Sequence, residues 1–150
     1  MTVRAEAERN EIVRRTCKDH LRQYLDSDGE EGYVFRGAPI LVLTTTGWRS
    51  GEKRSVPLMF GRDGADYLLV ASLGGATENP YWYRNLEAHP EAEIQVKAER
   101  IPVRARTATA EERPRLWALM NEVYPTYEEY QERTAREIPI VILEPTPRSS

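Results

Sequence analysis

The sequence predicts a small α+β barrel of about six mainly antiparallel strands, with flanking helices and an N-terminal amphipathic helix. Apolar strand-like runs come in hairpin-connected pairs, which favours antiparallel pairing. Helix-capping residues between these runs predict helices there. A chain of 150 residues is long enough for one substantial core. Closure into a barrel is expected because it removes exposed strand edges.

Residues 1–30 are predicted to form a helical segment. Val13, Cys17 and Leu21 recur at steps of four, the spacing of an amphipathic helix over roughly Ala5 to Leu25. The turn-forming residues 26–29 then end it. Packing on the domain and contact with a membrane surface both remain open for this helix.

Residues 31–145 are predicted to form the barrel, and residues 146–150 a frayed tail. The six expected strands are Pro39–Thr45, Ser55–Gly61, Tyr67–Ser72, Ala92–Ala98, Ile101–Thr107 and Pro139–Leu143. Asp63-Gly64 and Glu99-Arg100 have the composition of tight hairpin turns.

Three helix starts can be predicted from capping residues. Asn79 and Pro80 supply an N-cap and a proline at the first helical position. The segments 109–112 and 126–129 both have the spacing of a capping box, so we expect one helix from Thr109 through Val123 and another from Thr126.

Composition narrows the classes of function. The formal net charge of −3 argues against a dedicated nucleic-acid binder. Cys17, the one cysteine, excludes an internal disulfide, and the two histidines, His20 and His89, give little basis for a metal site, so we expect none. No segment has the pattern of a signal peptide or a membrane span, and we expect a cytoplasmic protein, with peripheral membrane contact left open.

Known phosphate-binding and hydrolase signatures do not occur in the sequence. It contains no Walker A pattern, no G-x-G-x-x-G after a strand, no G-x-S-x-G and no H-E-x-x-H. Nucleophilic hydrolysis and nicotinamide binding on a Rossmann fold therefore have little support.

Two loops at strand ends could bind a ligand. Residues 44–54 place Arg49, Lys53 and Arg54 beside two glycines, which suits phosphate or carboxylates, although a solvated basic hairpin is as common. Residues 72–76 contain two adjacent glycines that would let the backbone approach a flat ligand, but a flexible loop is equally expected.

Two aromatic segments could add walls to such a site. Trp82 follows Asn79-Pro80 at a helix start, where it is more often a core residue than a ligand contact. Tyr127 and Tyr130 share a helix face and Tyr124 lies just before it, a cluster that suits a binding site or a sealed surface equally. Together the four segments suit a planar cofactor with an anionic tail.

In this order the motifs resemble the deazaflavin-dependent nitroreductases, also called coenzyme F-420-dependent quinone reductases. The resemblance runs from about Gly37 to Pro145 and includes LTTTGWRSGEKR, PLMFGRDG, VASLGGATENPYWYRNLEAHP, TATAEER, YPTYEEYQ and IPIVILEP. It implies a split β-barrel and an oxidoreductase that transfers a hydride from reduced deazaflavin coenzyme F-420 to a quinone, nitroaromatic or related unsaturated acceptor. A homodimer is left open.

The resemblance also implies residue roles. Ser72 would hydrogen-bond near the ring or the acceptor, Tyr127 and Tyr130 would position the acceptor and could supply a proton, and Tyr124 would be a wall. The coenzyme tail would meet Arg49, Ser50 and Arg54. Further coenzyme contacts would be Pro57, Leu58, Met59, Val70, Ala71, Ser72, Tyr81, Trp82 and Asn85.

Three residues depart from the family pattern. Trp48 stands where a basic residue is usual, Leu73 where lysine is usual, and Met59 where an aromatic residue is common. The two missing cations would each weaken an exposed clamp on an anionic tail by roughly 1 kcal/mol. Trp48 could instead stack on the ligand, and both it and Leu73 count among the predicted coenzyme contacts.

Two alternatives keep the barrel and change its use. One is a reductase that uses FMN, and the other is a non-catalytic carrier of a coenzyme, haem or a lipid.

Overall fold

The computed structural model describes residues 17–75 and 78–147, in which a curled antiparallel sheet packs against four helices. The strands are β1 (Val34–Phe35), β2 (Ala38–Thr46), β3 (Lys53–Met59), β4 (Gly61–Asp63), β5 (Asp66–Val70), β6 (Glu91–Val96), β7 (Glu99–Thr107) and β8 (Ile140–Pro145). The helices are α1 (residues 17–27), α2 (Tyr81–Ala88), α3 (Arg113–Val123) and α4 (Thr126–Glu132), and a 3-10 turn spans Leu73–Gly75.

Every strand pair in the described residues is antiparallel. The order is β1-β2-β6-β7-β8-β5-β4, and β3 pairs with β2. Within these residues neither β3 nor β4 has a second partner, so the sheet stays open between them and forms a half-barrel. The predicted fold class is confirmed, and β1 and β4 are added to the six expected strands.

The apolar runs form strands because the sheet is covered on both faces. In β5, Tyr67 and Leu69 pack with α2 on one face, whereas Leu68 and Val70 pack with α3 and α4 on the other. Alternation of side chains along a strand therefore buries all four residues. Leu116 of α3 is completely buried against the second face.

Several strand bounds differ from those predicted from the sequence, and two of the differences have a visible cause. The expected strand 55–61 is divided between two strands, β3 and β4, because the chain leaves the strand conformation at Phe60. Gly61 then packs closely against α3, where a Cβ would lie 2.5 Å from Met120 Sδ. The β6–β7 turn lies at Lys97 and Ala98, so its prediction at residues 99–100 was wrong. The cause is a tertiary contact: the Lys97 N–H donates to Tyr24 Oη of α1 at 2.7 Å, which fixes Lys97 at φ 53°.

The capping predictions had mixed outcomes. The hydrogen bonds of the box at Thr109 form, since the Thr109 N–H donates to Glu112 Oε1 at 3.0 Å and the Glu112 N–H to Thr109 Oγ1 at 3.2 Å. The helix itself begins later than predicted, at Arg113. Asn79 does not cap α2, because its Oδ1 accepts from Arg136 at 2.7 Å. The second box does not form either: Thr126 is already helical, and the Glu128 N–H donates to Asn121 Oδ1 of α3 at 3.0 Å.

Helix α1 is anchored to the sheet by one tyrosine. Tyr24 is completely buried, and its hydroxyl donates to the Ile40 carbonyl at 3.0 Å. The predicted part of this helix before residue 17 lies outside the described residues, as do residues 148–150 of the predicted tail. None of the described helices is long and apolar enough to cross a membrane.

Candidate active site

A cavity of about 890 Å³ runs along the free edge of the half-barrel. All residues of β3 line it, which is possible because β2 is the one strand of the described residues that pairs with β3. Pro57 lacks an N–H and is tolerated in β3 for the same reason. Further walls come from α1, β5, the start of α2, and the segment 124–130.

The two ends of this cavity differ in character. Lys53 and Arg54 start β3, and Lys18 of α1 also lines the cavity. Met59 ends β3 and packs against the core cluster that holds Tyr127. Because a strand rises about 3.3 Å per residue, the two ends of β3 are roughly 20 Å apart. The cavity is therefore long, cationic at one end and aromatic at the other.

The basic loop between β2 and β3 is bonded to itself. The Gly47 N–H donates to the Glu52 carbonyl at 2.7 Å, and the Gly51 N–H to the Gly47 carbonyl at 2.9 Å. Gly51 has a φ of 72°, so the turn favours glycine there, and a Cβ on Gly47 would lie 2.5 Å from Ser50 Oγ, which would have to move. The expected free backbone donors at these glycines are thus already used, and an anion would have to be met by side chains.

The cations of this loop have different surroundings. The Arg49 guanidinium lies 4.3 Å from the centroid of the Trp48 ring, and neither residue lines the cavity. Arg54 does line it and forms an exposed ion pair with Glu52 at 3.3 Å. Lys53 Nζ donates to Thr46 Oγ1 at 2.8 Å. Arg54 and Lys53 are therefore the loop cations placed to meet a ligand in this cavity.

Asn85 connects this loop to α2. It is 2 % exposed, its Nδ2 donates to Thr45 Oγ1 at 3.0 Å, and its Oδ1 accepts from the Trp48 N–H at 3.0 Å. Its amide is thus engaged in positioning the loop, outside the cavity wall.

Ser72 lines the cavity with a side-chain hydroxyl that is not engaged. It is 7 % exposed, and its side chain has no hydrogen-bond partner within residues 17–75 and 78–147. Arg136 fixes the backbone here by donating to the Ser72 carbonyl at 2.7 Å and the Ala71 carbonyl at 3.2 Å. Sequence reasoning missed Arg136, because nothing local signals a contact across 64 residues.

The glycine loop after Ser72 serves packing. Gly75 has a φ of 81°, and a Cβ there would lie 2.7 Å from the Tyr130 carbonyl. The backbone at Gly75 therefore approaches α4 closely. This contact explains the glycine, so neither a flat ligand nor loop flexibility is needed to explain it. Leu73 stays 57 % exposed at the cavity rim, with a φ of 45°.

Three tyrosines form the far wall. The ring centroids of Tyr124 and Tyr127 are 5.2 Å apart, and Tyr130 lies 6.2 Å and 6.3 Å from them. Burial raises the pKa of Tyr127, and burial together with the hydrogen bond to Tyr124 raises the pKa of Tyr130 to about 12. The pKa of Tyr124 is lowered by its hydrogen bonds to Tyr130 and to Arg36, whose Nη1 lies 3.3 Å from Tyr124 Oη.

The start of α2 closes the cavity from another side. Tyr81 is 48 % exposed at its mouth, and partial burial raises the pKa of its hydroxyl. Trp82 belongs to the core and also lines the cavity, so the two roles weighed for it are compatible.

The structure therefore brings most of the predicted site residues to one cavity. Those that line it are Arg54, Pro57, Leu58, Met59, Val70, Ser72, Leu73, Tyr81, Trp82, Tyr124, Tyr127 and Tyr130. Those outside its wall are Trp48, Arg49, Ser50, Ala71 and Asn85. Sequence reasoning did not assign Arg36, Phe35, Lys18 or His20 to the site, although all four line the cavity. Within the described residues no group of three or more His, Cys, Asp or Glu side chains could hold a metal ion.

Comparisons with known proteins point to one family. The family model described as F420H(2)-dependent quinone reductase matches residues 16–145. The chain is 41% identical over 124 residues to a protein of Mycobacterium tuberculosis named F420H(2)-dependent quinone reductase. The aligned region covers 80% of this chain and 83% of that protein.

Solved structures agree in fold. One described as an F420-H2 dependent reductase (FDR-A) is 45% identical, with a TM-score of 0.66 over 71% of this chain and 94% of that one. Another, described as a domain-swapped dimer, is 38% identical, with a TM-score of 0.68 over 85% of this chain and 98% of that one.

Proposed function

The chain belongs to the F420H(2)-dependent quinone reductase family, and from this we propose that the cavity along β3 is where coenzyme and quinone meet. The protein is thus an oxidoreductase that uses coenzyme F-420. The observation that supports the placement is a single long cavity with Arg54 near one end and the hydroxyls of Ser72 and Tyr127 farther along. The FMN alternative has no support from these relatives, and a carrier without activity is disfavoured by the family.

The residues present fit the coenzyme. Its tail carries phosphate and carboxylates, for which Lys53 and Arg54 supply positive charge at the cationic end of the cavity. Its flat ring system needs apolar walls, and the strand edge of Pro57 to Met59, facing Val70, provides them. A strand edge roughly 20 Å long suits a ligand with a ring at one end and an anionic tail at the other. Arg49 and Ser50 remain predicted tail contacts, since they lie on the adjoining loop.

The reduced coenzyme supplies a hydride when bound, so the chain's own task is to hold the acceptor and provide a proton. Ser72 and Tyr127 offer hydroxyls that have no partner in the described part of the chain. A carbonyl oxygen of a quinone can accept from both, and its negative charge increases during reduction, which strengthens these bonds. Because burial raises the pKa of Tyr127, this hydroxyl stays protonated at neutral pH and acts as a donor.

The same donors extend the proposal to nitroaromatic acceptors. A nitroaromatic compound resembles a quinone in having a flat ring with oxygens at its edge that accept hydrogen bonds. Phe35, Leu58 and Met59 line the cavity and give such a ring an apolar surface.

Three further points concern the oligomeric state, the cellular location and the membrane contact of the enzyme. We propose a homodimer, supported by the relative described as a domain-swapped dimer. A cytoplasmic location and peripheral membrane contact through α1 stay predictions from the sequence.

Binding and turnover test the proposed function directly. Titration of purified protein with oxidised coenzyme F-420, followed by deazaflavin fluorescence, should show saturable binding at micromolar concentrations. Reduced coenzyme mixed with menadione should then be oxidised at a rate proportional to the protein concentration. Absence of binding at tens of micromolar coenzyme would contradict the proposal.

A further inference from the structure

Arg36 occupies a turn position that suits other residues better. Phe35 pairs with Ala38, so Arg36 and Gly37 form the two-residue loop of the β1–β2 hairpin. Their φ values of 51° and 82° are both left-handed, as in a type I′ turn, where asparagine, aspartate and glycine are usual. An arginine adopts this conformation at an energetic cost, which suggests that its side chain serves a purpose beyond the turn.

That side chain reaches the tyrosine wall. Arg36 Nη1 lies 3.3 Å from Tyr124 Oη, across 88 residues of sequence. The guanidinium also lies 5.2 Å from the ring centroid of Phe35, and both residues line the cavity. The hairpin therefore brings a positive charge to the aromatic end of the cavity, opposite in position to Lys53 and Arg54.

The chemistry of the groups fixes the direction of the hydrogen bonds. A guanidinium only donates, so Tyr124 Oη must accept from Arg36. The Tyr124 proton is then free to point to Tyr130 Oη, which lies 3.5 Å away. Tyr130 Oη accepts this hydrogen bond and can direct its own proton into the cavity that it lines.

On the basis of the proposed function, we propose that Arg36 is a positioning residue that orients a proton relay from Tyr124 through Tyr130 to the reduced acceptor. Hydride transfer adds two electrons and one hydrogen to a quinone and leaves one oxygen as an anion. The Tyr130 O–H bond breaks as the quinol O–H bond forms, and Tyr130 takes the Tyr124 proton. Water that reaches the 9 % exposed Tyr124 beside the exposed Arg36 reprotonates it, while the fixed charge of Arg36 stabilises its transient phenolate.

The groups around Tyr124 are consistent with this direction of transfer. Those that face it are Arg36 from the hairpin and Thr126, Tyr127 and Tyr130 from α4. Transfer from Tyr124 to a deprotonated Tyr130 moves the negative charge next to the Arg36 guanidinium, which favours it.

Charged and titratable groups on neighbouring elements complete the surroundings. Arg133, which follows α4 and does not line the cavity, lies 5.5 Å from the ring centroid of Tyr130. From α1, Lys18 and His20 line the same cavity, and His20 Nε2 lies 2.6 Å from the Gly32 carbonyl.

Arg36→Asn removes the contact with Tyr124 while keeping a residue that suits the turn. Asparagine is favoured in the left-handed position but is too short to reach Tyr124, so this variant should melt at the same temperature as the native protein or higher. Arg36→Lys restores a cation and should recover part of the function. Arg133→Met is the matched control, because it removes a cation beside Tyr130 without touching Tyr124.

The first measurement uses protein without coenzyme. Tyrosine labelled with ¹³C at Cζ reports phenol ionisation by NMR, and Tyr124→Phe identifies the Tyr124 signal. Arg36→Asn should move the Tyr124 midpoint to higher pH, Arg36→Lys should move it less, and Arg133→Met should have the smallest effect. An unchanged midpoint in Arg36→Asn would overturn the proposal.

The second measurement is the pH profile of turnover with reduced coenzyme F-420 and menadione. Arg36→Asn should lower kcat about tenfold, leave coenzyme binding by fluorescence unchanged, and shift the alkaline limb of kcat to higher pH. A lower kcat with an unmoved limb would indicate a structural role and overturn the relay. Failure of the native protein to bind coenzyme would instead refute the proposed function, a result that the NMR titration does not depend on.

Discussion

The buried amide of Asn85 holds the backbone of Trp48: the Trp48 N–H donates to Asn85 Oδ1 at 3.0 Å. The same amide donates to Thr45 Oγ1 at the end of β2. One side chain on α2 thus fixes the loop that carries Arg49 and leads into the cationic end of β3.

Replacement of Asn85 by alanine should reduce both stability and coenzyme affinity. Loss of the amide leaves the Thr45 hydroxyl and the Trp48 N–H without their partner, which costs about 1–3 kcal/mol of folding free energy. Urea denaturation measures this loss, and deazaflavin fluorescence measures the weaker binding that a displaced loop should cause. Glu87→Ala, on the exposed face of the same helix, should change neither. Normal coenzyme affinity in Asn85→Ala would show that the loop position does not matter for binding.

Arg54 should contribute more to coenzyme binding than Arg49. Arg54 lines the cavity, whereas Arg49 is stacked on Trp48 outside its wall. Arg54→Ala should raise the dissociation constant of oxidised coenzyme about tenfold, equivalent to about 1.4 kcal/mol for one charge-assisted contact. Arg49→Ala should raise it less, and both effects should shrink in added salt. Equal losses in the two variants would mean that the loop closes over the tail and brings Arg49 into contact.

The sequence was sufficient for the features that depend on local pattern. The apolar run of β2 and a hairpin within residues 62–66 were predicted, since side-chain period and turn chemistry are visible in adjacent residues, although the loop itself is Gly64-Ala65. It was insufficient where distant elements decide. The β6–β7 turn depends on Tyr24 of α1, which binds the Lys97 N–H, and no local signal could locate it.

The site shows the same division. The tyrosine cluster was predicted from its spacing, because one helix face presents Tyr127 and Tyr130 together. Arg36 and Arg136 were missed because each acts through a hydrogen bond to a segment more than 60 residues away. Their roles required the fold, since a turn arginine and a loop arginine look like ordinary solvated charges.

Removal of the Tyr127 hydroxyl should lower turnover without unfolding the protein. The ring of Tyr127 is 5 % exposed in the core, but its hydroxyl has no hydrogen-bond partner in the described ranges. Tyr127→Phe keeps the packing, so the melting temperature should change little, whereas kcat with menadione should fall about 10²-fold for loss of a donor to the acceptor. Ser72→Ala should show the same pattern. Full activity in both variants would place the acceptor elsewhere.

Glu112 should make folding stability depend on acid pH. Its carboxylate accepts from Arg106 and from the Thr109 N–H, which lower its pKa from 4.5 to about 2. A pKa below the unfolded value means that the stabilisation is complete above pH 4.5 and is lost as the pH falls toward 2. The native protein should therefore melt at a higher temperature than Glu112→Gln at neutral pH, and the difference should disappear between pH 4.5 and 2. Glu111→Gln, the neighbouring exposed carboxylate, is the control and should show no such pH-dependent difference.

Gly75 should link the loop after Ser72 to the tyrosine wall. Its φ of 81° disfavours any side chain, and a Cβ would lie 2.7 Å from the Tyr130 carbonyl, so Gly75→Ala has to displace α4 or the loop. Gly64→Ala is a matched control, because Gly64 has a φ of 61° with nothing within 4 Å of the added Cβ.

Both glycine variants carry the cost of a left-handed alanine, about 1 kcal/mol, and only Gly75→Ala adds the clash. Gly75→Ala should therefore be less stable than Gly64→Ala in urea denaturation and should also raise KM for menadione, since Tyr130 moves. The Gly64 variant should keep the native KM. Equal stability and equal KM in the two variants would show that the contact between Gly75 and Tyr130 does not set the shape of the acceptor end.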